Sequence, residues 1–131
     1  PLRFTPLPLV HSKPTFGYAV EADDGSRFAY LTDTLGLPPR TEAFLQAWQA
    51  DGLALDCSHP PQDAAPRGHN DWPMALAAIA SVRPHRAWLT HIGHALDAWI
   101  LQTSPALPEG VGVASDGEVA VMARRHGPGA T

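Results

Sequence analysis

The sequence lacks the features of a disulfide-stabilised, membrane-spanning or nucleic-acid-coating protein. Its 131 residues include one cysteine, Cys57, which excludes an internal disulfide and fits a reducing cytoplasm. Its apolar runs fall short of the roughly 18 residues that a membrane span needs, and no secretory leader is recognisable. The net charge is −4 and the nine Lys and Arg residues are scattered, whereas proteins that follow a phosphate backbone usually carry a basic face. We therefore expect a cytoplasmic protein with no membrane partner, and nucleic acid is a poor candidate partner.

What the sequence has in excess is histidine. Seven histidines occur among the 131 residues, and the hydrophobic content of 44% is ordinary for a globular chain. Histidine is the side chain that changes charge near neutral pH, and it is also the commonest metal ligand. The composition therefore points to acid–base or metal chemistry rather than to a purely structural role.

The pattern of apolar residues predicts an α/β fold, with a hairpin first and alternating strands and helices afterwards. Strands are predicted over 2–10, 15–22, 27–32, 53–55 and 86–90, and helices over 42–50, 70–83 and 95–102. Thr41 and Asn70 are the predicted N-caps of the first two helices. A closing hairpin is expected within 110–122, turned at Asp116-Gly117, and residues 124–131 are expected to form a flexible tail.

Polar residues collect where the predicted strands end. The groups are His11-Ser12, Asp33, Cys57-Ser58-His59 with His69, and His91 with His94. Loops at the carboxyl edge of a sheet often carry function, and an Asp with two His could converge there on zinc or manganese. Ordinary interpretations stay open on spacing alone: Asp33 could form a turn, Cys57 could belong to the core, and His69 could decorate a helix start.

Taken as connected strings, these groups resemble the phosphoribosyl 1,2-cyclic phosphate phosphodiesterases of bacterial phosphonate breakdown, the carbon–phosphorus lyase pathway. The matching segments are PLVHSKPTFGY, LTDTLG, DCSHPP followed by APRGHND, and LTHIGHALDAW. They occur in the family's order and at nearly its spacing, between about Leu2 and Met122. The resemblance implies a metallo-β-lactamase fold, which is an αββα sandwich with a mixed sheet, flanking helices and a two-metal site at one edge. It implies manganese as the divalent metal, with zinc in related members.

The resemblance also implies roles for individual residues. His11 and His91 each match a ligand of one metal, and Asp33 matches the carboxylate that bridges the two metals. His69 matches a histidine near the substrate phosphate that serves as general acid or base. His94 matches a ligand of a separate structural zinc.

The implied reaction is metal-assisted hydrolysis of a small cyclic phosphate. The family opens 5-phosphoribosyl 1,2-cyclic phosphate to ribose 1,5-bisphosphate. Lys13 and Arg67 are candidates for binding a substrate phosphate, and both fit equally well as ordinary surface charges.

One part of the family's pattern is absent from this sequence. It contains neither the His-x-His-x-Asp-His motif, which supplies most of the metal ligands, nor the cysteines that would join His94. We therefore expect residues 1–123 to be the C-terminal half of a metallo-β-lactamase domain, completed by a partner half that carries the motif. A homodimer of the whole enzyme stays open. The alternatives are another phosphodiesterase or nuclease of this fold, such as a transfer-RNA-trimming enzyme, and an inactive half-domain that only associates with its complementary half.

Overall fold

A computed structural model describes residues 1–64 and 66–124 as a six-stranded mixed sheet with three helices. The strands are β1 (Leu2–Pro8), β2 (Phe16–Ala22), β3 (Arg27–Leu31), β4 (Gly52–Asp56), β5 (Arg86–Thr90) and β6 (Val111–Val113), and the helices are α1 (Pro39–Trp48), α2 (Trp72–Val82) and α3 (His94–Thr103). The order of strands in the sheet is the order in the chain. β1 to β3 pair antiparallel, and β3 to β6 pair parallel. The predicted α/β class, with a mixed sheet and flanking helices, is confirmed.

One face of the sheet carries the hydrophobic core. Alternate strand residues point to the same face, and on this face they are small or aliphatic, as with Ala29, Leu31, Leu53, Leu55 and Leu89. The three helices contribute their own apolar residues to the same cluster, namely Leu45, Ala75, Ala78, Ile79, Val82 and Leu96. Burial of these side chains fixes the register of the strands, because a slip by one residue would turn each one to the opposite face.

The opposite face of the sheet is covered only in part. The segment 114–122 lies over its β3–β5 side, where it forms one wall of a cavity of about 410 Å³ together with Phe28 and Trp88. The β1–β3 side keeps large apolar residues exposed: Phe4 is 61% exposed, Tyr18 44% and Tyr30 49%. An apolar patch of this kind is typical of a surface that meets another protein layer.

The structure corrects both predicted N-caps. Helix α1 begins at Pro39, whose ring is well suited to a first helical position, and its N-cap is Pro38 rather than Thr41. The Thr41 hydroxyl instead donates to the carbonyl of Pro8 at 2.6 Å. Helix α2 is capped by Asp71, whose carboxylate accepts the Met74 N–H at 3.0 Å, and not by Asn70.

The predicted closing hairpin is wrong. A turn is present at Asp116-Gly117, where Gly117 has φ 79° and the Glu118 N–H donates to the Ser115 carbonyl. However, only Val111–Val113 forms a strand, and it pairs parallel to β5. The described residues after the turn, up to 124, contain no strand.

The predicted tail falls mostly beyond the described residues, since 125–131 lie outside them. The Arg124 guanidinium donates to the carbonyl of Asp24 at 2.8 Å, so the chain crosses the sheet to the β2–β3 turn. Among the described residues, no helix has the length and apolar character of a membrane span.

Candidate metal and hydrolase site

Four chain segments bring polar side chains to one edge of the sheet. Because β1 and β3 to β5 run in the same direction, their carboxyl ends meet at that edge. His11 follows β1, Asp33 follows β3, Asp56 ends β4 and His91 follows β5. The predicted convergence of strand-end residues at this edge is confirmed for Asp33 and His91.

Asp56 lies at the centre of the arrangement. It is fully buried, at 0% exposure, and its Oδ2 lies 2.6 Å from the Nδ1 of His69. A carboxylate can only accept, so His69 donates its Nδ1–H and its Nε2 is left without a proton in the neutral ring. The His69 side chain is 23% exposed and faces solvent from the long loop before α2.

His91 lies against His69 and near Asp33. The rings of His69 and His91 are stacked, with centroids 4.4 Å apart and an interplanar angle of 17°. The Nε2 of His91 lies 3.4 Å from the Oδ1 of Asp33, and both side chains are 46% exposed. Both ligand atoms are therefore on side chains that solvent can reach.

Asp33 and His91 both adopt left-handed backbone conformations. Their φ angles are 58° and 62°; Asp33 is the second residue after β3, and His91 is the first after β5. Asp and His tolerate this region better than most residues, yet it still costs more than an extended or helical conformation. The left-handed residue turns the chain sharply at the strand end, and it occurs at the two positions whose side chains approach each other.

His11 lies beside this group. Its Nδ1 is 2.9 Å from the carbonyl oxygen of Gly68, and that oxygen can only accept, so His11 also presents an unprotonated Nε2 when neutral. The centroids of the His11 and His69 rings are 5.2 Å apart. Gly68 has φ 74°, which allows the loop to pass close to the imidazole.

The arrangement satisfies the donor chemistry of a metal site. In the described part of the chain, one group of at least three possible ligands converges: Asp33, Asp56, His69 and His91, with ligand atoms within 4.8 Å of one another. Imidazole nitrogen and carboxylate oxygen suit zinc or manganese. His11 is adjacent to this group rather than a member of it, so its predicted role as a ligand stays a prediction.

The other predicted site residues lie around this centre. His94 is the first residue of α3 and lines one depression of about 490 Å³ together with His59, His69 and His91. Lys13 and Arg67 are both exposed, on the loops after β1 and before α2. The structural-metal role of His94 and the substrate roles of Lys13 and Arg67 stay predictions.

Sequence reasoning gave Asp56 no role, and it predicted Asn70 only as the helix N-cap that proves to be Asp71. Asp56 ends an apolar run, and a lone carboxylate at the end of a buried strand was the available signal. Asn70 is also fully buried: its Oδ1 accepts the Gly36 N–H at 2.7 Å, and its Nδ2 donates to the Asp56 carbonyl at 2.8 Å. It thereby joins the loop that carries Asp33 to the end of β4, and no local pattern encodes such a contact.

Cys57 belongs to the core, as the sequence predicted, rather than to the site. It is fully buried, and burial raises the pKa of its thiol to about 12, with smaller contributions from the Asp56 and Asp71 carboxylates. A thiol is a nucleophile only as the thiolate, so Cys57 is inert near neutral pH.

Comparisons with known proteins gave one family match and several similar solved structures. The family described as the beta-lactamase superfamily domain matches residues 1–92. Among solved structures, the chain is similar to a diphosphatase of the PhnP family, with a TM-score of 0.70 and 25% identity over 89% of this chain. It spans 42% of the length of that protein.

Other similar structures share the fold at lower identity. They include the short form of human tRNase Z, with a TM-score of 0.66, 22% identity, and coverage of 94% of this chain and 43% of that one. Zinc-bound PqqB from Methylobacterium extorquens is similar with a TM-score of 0.60, 19% identity, and coverage of 89% and 48%. No curated protein matched the sequence.

Proposed function

Because this chain belongs to the beta-lactamase superfamily, we propose that it forms part of the active site of a metal-dependent phosphodiesterase. We further propose that the substrate is 5-phosphoribosyl 1,2-cyclic phosphate and the product ribose 1,5-bisphosphate. The observation that carries the proposal is the convergence of Asp33, His69 and His91 at one sheet edge. The similarity to a PhnP-family diphosphatase at 25% identity supports the choice of a phosphate substrate.

The proposed metal ligands are His11, Asp33 and His91. The Asp33 Oδ1 and the His91 Nε2 lie 3.4 Å apart, and the centroid of the His11 ring lies 5.2 Å from that of His69. Two divalent ions, manganese or zinc, would supply Lewis-acid activation of the phosphoryl group and of the attacking water. Asp33 would contact both ions, while His11 and His91 would each hold one.

His69 is the proposed general acid or base. Its Nδ1–H is held by Asp56 at 2.6 Å, so proton exchange with substrate takes place at Nε2. In its protonated form the ring would donate from Nε2 to the leaving sugar oxygen, and such a positioned group typically contributes about 10²–10⁴-fold in rate. The buried Asp56 carboxylate would keep the ring oriented, because it accepts the Nδ1–H at 2.6 Å.

Lys13 and Arg67 are the proposed contacts of the second phosphate, at C5 of the ribose. Both are exposed cations on loops that reach the site: Lys13 is two residues from His11, and Arg67 precedes Gly68, whose carbonyl contacts His11. A small phosphate ester needs only one or two such groups, which accords with a net charge of −4.

The remaining metal ligands are proposed to come from a partner polypeptide that carries His-x-His-x-Asp-His. This sequence contributes one imidazole to each proposed ion plus the shared Asp33, which is too few donors for a tight dinuclear site. The exposed apolar side of the sheet around Phe4, Tyr18 and Tyr30 offers a surface for that partner.

The proposal is tested first by metal content and then by turnover. The chain is purified from manganese-supplemented medium, its manganese and zinc are counted by elemental analysis, and hydrolysis of the cyclic phosphate is followed by ³¹P NMR. About two ions per chain with ring opening would support the proposal and would mean that a copurifying partner supplies the missing ligands. Less than one ion, with turnover appearing only after a His-x-His-x-Asp-His polypeptide is added, would support the partner.

Two variants and a control separate the roles. Asp33→Ala should remove metal and activity together, whereas His69→Ala should lower turnover about 10²–10⁴-fold with metal content retained. Asp116→Ala, a carboxylate in the exposed turn after β6, should change neither. A metal-loaded assembly that cleaves precursor transfer RNA but leaves the cyclic phosphate intact would replace the substrate assignment with the nuclease alternative. A metal-loaded assembly that cleaves neither would leave only the inactive half-domain.

A further inference from the structure

The Asp56 carboxylate accepts three hydrogen bonds from the protein itself. Its Oδ2 accepts from His69 Nδ1 at 2.6 Å and from the Thr34 N–H at 3.2 Å, and its Oδ1 accepts from the Ser58 hydroxyl at 3.0 Å. The residue is fully buried. A metal would have to displace these donors inside the core, so Asp56 is better suited to orient ligands than to be one, although its oxygens lie within ligand distance of its neighbours.

The Ser58 hydroxyl extends this arrangement to a second histidine. Its Oγ lies 2.8 Å from His91 Nδ1 and 2.8 Å from the His91 carbonyl. A hydroxyl has one proton, and both the Asp56 Oδ1 and the His91 carbonyl oxygen can only accept it. With that proton donated to either oxygen, an Oγ lone pair is left to accept, and His91 must supply the hydrogen from Nδ1.

We propose that Asp56 is a positioning residue that acts through two arms, directly on His69 and through Ser58 on His91. It fixes both rings in the Nδ1–H tautomer, so that both Nε2 atoms keep an unprotonated lone pair. The stacking of the two rings at 4.4 Å follows from their shared anchor. Outer hydrogen bonds of this kind commonly fix the tautomer and orientation of a metal-binding histidine.

The opposite direction of the Ser58–His91 hydrogen bond predicts a different tautomer for His91. If the Ser58 hydroxyl donated to His91 Nδ1, His91 would carry its proton on Nε2, which points at Asp33 from 3.4 Å. An Nε2–H there could hydrogen-bond to Asp33 but could not bind a metal. The tautomer of His91 therefore decides between the two arrangements.

The experiment measures tautomers in the metal-free chain. Histidine is labelled with ¹⁵N, and long-range ¹H–¹⁵N spectra are recorded at about pH 8, where most imidazole rings are neutral. His69 and His91 should both show a protonated Nδ1 and a bare Nε2. Ser58→Ala should release His91 toward the Nε2–H form that a free imidazole prefers and leave His69 unchanged, while Ser58→Thr should restore His91.

A matched control is available at Ser26. Its hydroxyl donates to the Asp24 carboxylate at 2.6 Å in the β2–β3 turn, so Ser26→Ala removes the same type of bond far from the site. It should leave both tautomers unchanged. Ser58→Ala should also weaken binding of added Zn²⁺ about 10–100-fold, whereas Ser26→Ala should not.

The result that overturns the proposal is a native His91 protonated on Nε2, or a Ser58→Ala chain in which His91 keeps the Nδ1–H form. Asp56→Asn should disturb both histidines, and Ser58→Ala carries the test if that variant does not fold. The value of the anchor for hydrolysis rests on the proposed function. The tautomer assignment does not rest on the proposed function, since the tautomers are measured without metal or substrate. A failure of either proposal can therefore be told from a failure of the other.

Discussion

Replacing Asn70 by Ala should destabilise the protein more than any exposed polar substitution. The change removes the acceptor of the Gly36 N–H and the donor to the Asp56 carbonyl, both of which are held by the buried amide. Each buried polar group left without a partner costs about 1–3 kcal/mol. Gly36 is only half-buried and water can replace part of its bond, so we expect a loss of about 2–4 kcal/mol in the free energy of unfolding.

The loss is measured by urea denaturation followed by tryptophan fluorescence. Gln46→Ala is the control, because Gln46 donates to the Ser81 hydroxyl at 2.9 Å on the surface and should cost less than about 0.5 kcal/mol. Asn70→Asp keeps the acceptor for Gly36 but places a carboxylate against the Asp56 carbonyl, so it should also be destabilised. A midpoint for Asn70→Ala equal to that of Gln46→Ala would refute the view that this amide joins the Asp33 loop to β4.

Four further predictions concern the core and the site loops. Cys57, with a thiol pKa of about 12, should react with iodoacetamide near pH 8 about a thousandfold more slowly in the folded than in the urea-unfolded chain, and equal rates would contradict its burial. The raised pKa also favours the neutral thiol in the folded state. The resulting stabilisation is present below the unfolded pKa of about 9 and is lost as the pH rises toward 12. Urea midpoints measured between pH 8 and 11 should therefore fall with pH. Gly93→Ala should cost about 1–3 kcal/mol in urea, because a Cβ there would lie 2.4 Å from the Ser58 carbonyl oxygen, whereas Gly112→Ala, which meets nothing within 4 Å, should be neutral. Asp33→Gly should be about 1 kcal/mol more stable than Asp33→Ala, because only glycine relieves the φ of 58°, and an equal stability would argue against the left-handed conformation.

The strands could be predicted because each has an apolar face or an apolar run. β4 and β5 are buried along nearly their whole length, so local composition and burial agree there. The predicted Asp33 and His91 lie at the sheet edge because the carboxyl ends of parallel strands meet there, so the residues that follow those strands share one edge.

The errors arose where tertiary contacts decide between equal local options. Asn70 and Asp71 are both good N-caps, and the choice falls on Asp71 because the Asn70 amide is held by Gly36 and Asp56. The Thr41 hydroxyl is similarly engaged by the Pro8 carbonyl, 33 residues away. Such partners are distant in sequence, and no helix-start pattern contains them.

The closing segment was mispredicted for a related reason. Val119 and Val121, which fall in the second half of the predicted hairpin, are both more than 80% exposed, and the segment is held across the sheet by other residues. Met122 lies over Gly52, where a Cβ would come within 2.3 Å of its sulfur. The absence of a side chain at Gly52 creates this contact, and the sequence of the segment itself does not reveal it.

The agreement between strand order and chain order has a consequence for how the molecule folds. Each strand pairs with the strand before it, so the sheet can grow by addition at one edge, without inserting a strand between two others. Short separations between paired elements favour rapid folding, since little loop entropy is lost at each step. His91 enters only with the end of β5, after Asp33 and Asp56 are already in the sheet. During synthesis the carboxylates would thus be in position before the last imidazole arrives.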